Sequence, residues 1–259
     1  MDLSLLPDLA AYGWRVFPGL LLIAVTYALL PRRADAARAF LLILGFLLAR
    51  DAMTPAGFWR LGVTPATVWL RFADSGLLLL VLGFASLLAT LLILSVNRNG
   101  LNRHIRWFGE KPIRSVAIGI LGALLVAGPF LLSYGFVPIG ERGGSVPAHL
   151  LPVLLFFALA GNLLEEVLFR GYVQGMFESK AGPWLAALLS GMLFAAGHAF
   201  LSATVTDLGP FILVFTLYEG LVCAVVRMRN GVAASALTHG LAIFLLSAGL
   251  VQIPMPPAA

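Results

Sequence analysis

Long runs without Asp, Glu, Lys or Arg set the strongest limit on what this chain can fold into. Such a run has no polar face to show to water, and in lipid every backbone N–H and C=O must be satisfied within the segment, which leaves helices or closed barrels. A hydrocarbon layer of ~30 Å asks for ~20 apolar residues per helix. Val16 to Pro31, Ser75 to Asn97, Ser115 to Gly140, Gly143 to Leu164, Ala181 to Thr206 and Asn230 to Ala259 meet or approach that length, and so does Leu208 to Val226, whose one charged residue is Glu219. A weaker run from Ala39 is interrupted by Arg50-Asp51, which places that charged pair at an interface or a cavity. With 60% hydrophobic and 11% charged residues in 259, and a mean hydropathy of +0.97, no sizeable water-soluble domain remains. The expectation is an all-α, polytopic transmembrane bundle of about eight spans. Cys223 is the one cysteine, so no internal disulfide forms.

The net charge of +5 belongs to membrane orientation rather than to nucleic-acid binding, because Lys and Arg collect in cytoplasmic loops. Alternating loops put Arg32, Arg33, Arg38, the basic residues between Arg98 and Arg114, Arg170, Lys180, Arg227 and Arg229 on one side. Only Arg15, Arg50, Arg60, Arg71 and Arg142 fall on the other. The richer side is expected to be cytoplasmic and both termini non-cytoplasmic. The Arg98 to Arg114 cluster faces anionic head groups of the bilayer. Asp2 and Asp8 stand where a cleavable signal would carry positive charge, so the first span itself is expected to direct insertion.

Polar residues inside apolar runs are costly, and they mark candidate chemistry. Asn162-Leu163-Leu164-Glu165-Glu166 ends one run, with Arg170 following. Glu166 and Arg170 are four apart, on one helix face and in the favourable acid-before-base order. Glu165 is turned by ~100° from Glu166 and faces elsewhere. His198 and His239 lie within two later spans. If Ser179 to Pro183 and Arg227 to Gly231 are tight antiparallel turns, Glu165 meets His198 about the first turn. Glu219 meets His239 about the second. Helical rise puts Glu165 and His198 ~20 to 25 Å from their turn and His239 ~15 Å from its own, a layer expected to lie shallowly in the cytoplasmic half. Solvated helix-end charge for the acids, backbone-bonded core histidines, a structural hydrogen bond for Glu219 and simple packing for Cys223 are the plainer alternatives.

A carboxylate and an imidazole in one pocket can activate water against an amide carbonyl if another group holds the oxyanion. A Glu165, His198, His239 zinc site is the rival chemistry, since two histidines and a glutamate form a catalytic ligand set. No His-Glu-x-x-His, Gly-x-Ser-x-Gly or Gly-x-Gly-Asp motif is present. A different class also fits the same polar cluster: a noncatalytic membrane scaffold, or a small-solute or proton transporter.

Glu165-Glu166-x-x-x-Arg170, Phe194-x-x-x-His198 and the late His239 together resemble the CPBP intramembrane protease family, which includes CAAX prenyl proteases of the Rce type and the bacterial Abi proteins. The likeness covers roughly Leu150 to Leu250. It implies an N-terminal set of helices over 1–140 and a catalytic core over 141–259 in one integral membrane domain. It also implies water activation by Glu165 and His198 and an oxyanion site at His239, with Glu166 and Arg170 completing its first motif; Asn162 and Glu219, read from their own positions in the apolar runs, are expected to support the same layer. The family's last motif continues to an asparagine four residues on, where this chain has Ile243. Either His239 acts alone, or a group such as Asn162 substitutes, or activity is altered. No cofactor is expected, with zinc as the alternative. The implied substrate is a membrane-anchored protein or peptide. The Ala, Leu, Gly and Arg bias looks prokaryotic, which points to a bacterial cytoplasmic (inner) membrane and away from prenylated substrates; of the family's bacterial roles, C-terminal anchor processing is placed ahead of bacteriocin-related work.

Overall fold

The computed structural model describes residues 5–51, 58–64, 67–200 and 209–254. It is mostly helical: α1 (Leu5–Leu29), α2 (Asp35–Asp51), α3 (Gly76–Val96), α4 (Pro112–Tyr134), α5 (Leu151–Glu166), α6 (Gln174–Ala196) and α7 (Pro210–Ala248). A π-helical stretch, Val167–Val173, joins α5 to α6 in one rod. Five stretches are long and apolar enough to cross a membrane: 7–29, 76–96, 112–134, 148–196 and 210–248. The expected span limits at Thr206, Leu208 and Ala259 lie outside the described residues.

Two of these stretches turn back on themselves at the expected places. Gly182 has φ +76° and Gly231 φ +82°, a conformation that only glycine enters readily. At Gly182 the following Pro183 begins the second arm, where no N–H is needed. At Gly231 the first N–H groups of the second arm are satisfied from outside, by Val232 N–H to Arg106 O (2.8 Å) and Ala233 N–H to Trp107 O (2.9 Å). The arms then run antiparallel. Ser190 donates to Phe169 O (2.9 Å) across the first pair, and Cys223 and Ser235 meet across the second.

The all-α expectation needs one correction. Residues Trp59–Thr64 (β1) and Thr67–Phe72 (β2) form an antiparallel hairpin, with Trp59 opposite Phe72 and Leu61 opposite Leu70. Their alternation puts Trp59, Leu61, Leu70 and Phe72 on one face, as the two-residue period of a strand requires. Phe58 and Phe72 pack there with Leu78, Leu79, Leu154 and Phe157.

Helix α4 lies along α7, α3 along α5, and α7 also contacts α5 and α6. α1 packs mainly on α2, and its apolar side chains are largely exposed. Basic loops gather at one end of the bundle: Asp35 pairs with Arg103 and His104, and Arg227 pairs with Glu178 while donating to His104 O. The opposite end carries the hairpin, where Arg71 donates to Gly144 O (2.8 Å) and Arg142 to Val251 O (2.8 Å).

Candidate active site

Every polar residue singled out in the apolar runs reaches the interior. Glu166 and Arg170 are fully buried and pair at 3.0 Å, as their spacing requires. Glu166 also accepts from His239 Nδ1 (2.9 Å) and from the Ser235 hydroxyl. Arg170 reaches across to Gly220 O (2.9 Å), and its guanidinium lies 4.2 Å from the Phe194 ring centroid. One buried pair therefore fixes the second arm of α7 through His239 and the first arm through Gly220. This scaffold holds His239 so that Nε2 stands 3.6 Å from Glu219.

Glu165 faces another direction. Its Oε2 is 3.7 Å from His198 Nε2 and has no hydrogen-bond partner among the described residues. His198, just past the end of α6, donates from Nδ1 to Phe194 O (2.8 Å) in the helix's last turn. That bond leaves Nε2 as an acceptor on the side where Arg50 and Glu165 stand. Glu165, His198, Glu219 and His239 all line one cavity of about 170 Å³, together with Asn162, Ile243 and Arg50. The Asn162 amide donates to Ala158 O (2.7 Å) on its own helix. Trp59, Leu61, Leu70 and Phe72 of the hairpin form an apolar wall of the same cavity.

Arg50 is the participant that motif reading misses. It comes from the end of α2, and its Nη1 lies 2.9 Å from Glu165 Oε1 and 2.8 Å from His198 Nε2. Aromatic rings of Trp59 and Phe46 flank it at 5.1 and 5.7 Å. The signal was the interruption of an apolar run by Arg50-Asp51, which the cavity explains.

Glu178 and Arg227 belong to the basic end, and from them helical rise gives ~20 Å back to Glu165 and ~12 Å to Glu219. The cavity continues from the cluster to the hairpin.

Among the described residues, Glu166, Cys223 and His239 offer ligand atoms within 4.8 Å of one another. This is not the Glu165, His198, His239 set suggested by sequence. In each set an arginine already faces the acid: Arg170 on Glu166, Arg50 on Glu165. A divalent ion would have to share that space with a guanidinium, so neither donor set fits one well.

Residues 147–245 match the family model of type II CAAX prenyl endopeptidases, Rce1-like. The resemblance carried by Glu165 to Arg170, Phe194 to His198 and His239 is borne out over this segment. No curated protein and no solved structure matches the chain. The Rce1-like segment holds both glutamates, Arg170 and both histidines, whereas Arg50 and the hairpin lie outside it. The long apolar helices and the match together point to an integral membrane protein with an Rce1-like segment.

Proposed function

We propose that the chain is an intramembrane endopeptidase in which Glu165 and His198 activate water and His239 binds the developing oxyanion. The observation that carries this reading is the convergence of Glu165, His198 and His239 on one cavity with an apolar wall. Glu165 Oε2, 3.7 Å from His198 Nε2 and without a hydrogen-bond partner among the described residues, is the atom left to accept from a water in the cavity. Glu166 holds His239 Nδ1, so His239 turns Nε2 to the cavity and serves as an oxyanion donor there as the imidazolium, with both ring nitrogens protonated. Glu166 is fully buried with both oxygens taken, by His239 and Ser235, and Glu165 is the one of the two that lines the cavity, so Glu166 orients His239 rather than serving as a base.

The arginines facing both acid sets favour a glutamate base over zinc. The substrate is a membrane-anchored protein or peptide. Its apolar stretch lies against Trp59, Leu61, Leu70 and Phe72. Since the cavity extends away from the basic end, an anchor presented from the non-cytoplasmic side suits it better than a cytoplasmic prenylated tail. Eight crossings follow if the rods folded at Gly182 and Gly231 cross twice each and α2 crosses with them. The host membrane is then a bacterial cytoplasmic membrane, with both termini outside.

Purified protein in liposomes is tested against a quenched-peptide library whose members carry an apolar tail of ~20 residues. The wild type is expected to cleave a subset, with undiminished rate after chelation, and Glu165→Gln is expected to be inactive yet folded. Equal cleavage by Glu165→Gln sinks the water-activating role, and loss of activity on chelation with recovery on zinc sinks the metal-free one.

A further inference from the structure

The Rce1-like segment leaves its oxyanion site one donor short, because Ile243 has no hydrogen to give. Ile243 lines the cavity, and so does Arg50. We infer that Arg50, delivered from α2 outside the matched segment, is the second oxyanion donor of this active site. The inference rests on the peptidase reading above.

Asn162 also lines the cavity, but its amide nitrogen is directed to Ala158 O on the preceding turn. Arg50 is suited by chemistry and by place. A guanidinium carries five donors in a fixed plane. Nη1 is already within 3 Å of both groups proposed to activate water, at 2.9 Å from Glu165 and 2.8 Å from His198. A carbonyl attacked by a water held between those groups therefore develops its charge beside this cation. Trp59 and Phe46 keep the guanidinium at the cavity, and its side chain is only 15% exposed. A cation in so dry a place stabilises developing negative charge far more than it could in water.

The step balances without a further reagent. Water oxygen bonds to the amide carbon, its proton passes to Glu165, and the carbonyl π pair moves onto oxygen between Arg50 and His239. Collapse of that oxyanion breaks the C–N bond, and the proton on Glu165 goes to the departing amine. Charge compensation of Glu165 alone would give Arg50 a structural role, and the two roles separate by experiment.

Wild type, Glu165→Gln, Arg50→Met, Arg50→Lys and the double variant Arg50→Met with Ile243→Asn are compared in liposomes on the library member that the wild type cleaves best. Arg50→Met, which keeps the length and has no donor, is expected to lower kcat about 100-fold with KM little changed. Arg50→Lys, which keeps the charge but loses the planar donor set, is expected to fall between the wild type and Arg50→Met. Adding Ile243→Asn to Arg50→Met restores a donor without restoring charge, and is expected to recover kcat by about tenfold. If Arg50→Met proves unfolded, Arg50→Lys carries the test through a reduced kcat at unchanged KM, and full activity of Arg50→Lys then overturns the inference. Wild-type kcat in folded Arg50→Met, or no recovery in the folded double variant, overturns it while Glu165→Gln remains inactive. Cleavage of no member by the wild type, or equal cleavage by Glu165→Gln, instead overturns the peptidase reading and the inference with it.

Discussion

Two adjacent glutamates do different work here because consecutive helical positions point ~100° apart. Glu166 faces inward to Arg170, His239 and Ser235, and Glu165 faces the cavity. Removing one partner of a fully buried ion pair leaves the other charge uncompensated, which typically costs about 3 to 5 kcal/mol. Arg170→Ala is therefore expected to lower unfolding stability in detergent by that amount, and it also frees Gly220 O and loosens His239. A loss below about 1 kcal/mol in a denaturant titration would show that Glu166 is held by His239 and Ser235 alone. The roles of Glu166 and Arg170 were legible from their spacing, since a helix makes neighbours of residues four apart. The role of Arg50 was not, because its contacts with Glu165 and His198 join segments more than a hundred residues apart.

At the scale of elements, the turns at Gly182 and Gly231 look alike in the sequence and differ in their surroundings. Both have positive φ, and a substituted side chain at either suffers backbone strain of about 1 to 3 kcal/mol. A Cβ at Gly182 would meet nothing within 4 Å, but one at Gly231 would lie 2.5 Å from the Trp107 carbonyl carbon and 2.6 Å from Phe108 N. Overpacking of that kind adds about 1 to 3 kcal/mol. Gly231→Ala is thus expected to be the more destabilising of the two by that margin, and to misplace His239 eight residues on, with equal unfolding midpoints as the refuting result. The helical arms were legible because charge-free runs and glycine breaks are local signals. The hairpin was hidden although Trp59, Leu61, Leu70 and Phe72 alternate with Arg60 and Arg71. So short a pattern, set between long apolar runs, is easily taken for a connecting loop, and the face it buries packs on Leu154 and Phe157 far along the chain.

For the whole molecule, orientation decides from which side a substrate enters. The loops that share a side by alternation do meet at one end of the bundle, where Asp35, Arg103, His104, Glu178 and Arg227 are interlinked. If that end is cytoplasmic, as its basic residues require, the hairpin and the cavity wall it forms face the outside. Cys223 is the one cysteine of the chain and is buried, so introduced thiols report without interference. Asn99 and Ser145 are exposed at opposite ends. In intact cells a membrane-impermeant maleimide is expected to label Ser145→Cys and to leave Asn99→Cys unlabelled until the membrane is opened. The reverse pattern would place the hairpin in the cytoplasm, and an anchor presented from outside would then meet the basic end, from which the helices themselves separate Glu165 by ~20 Å.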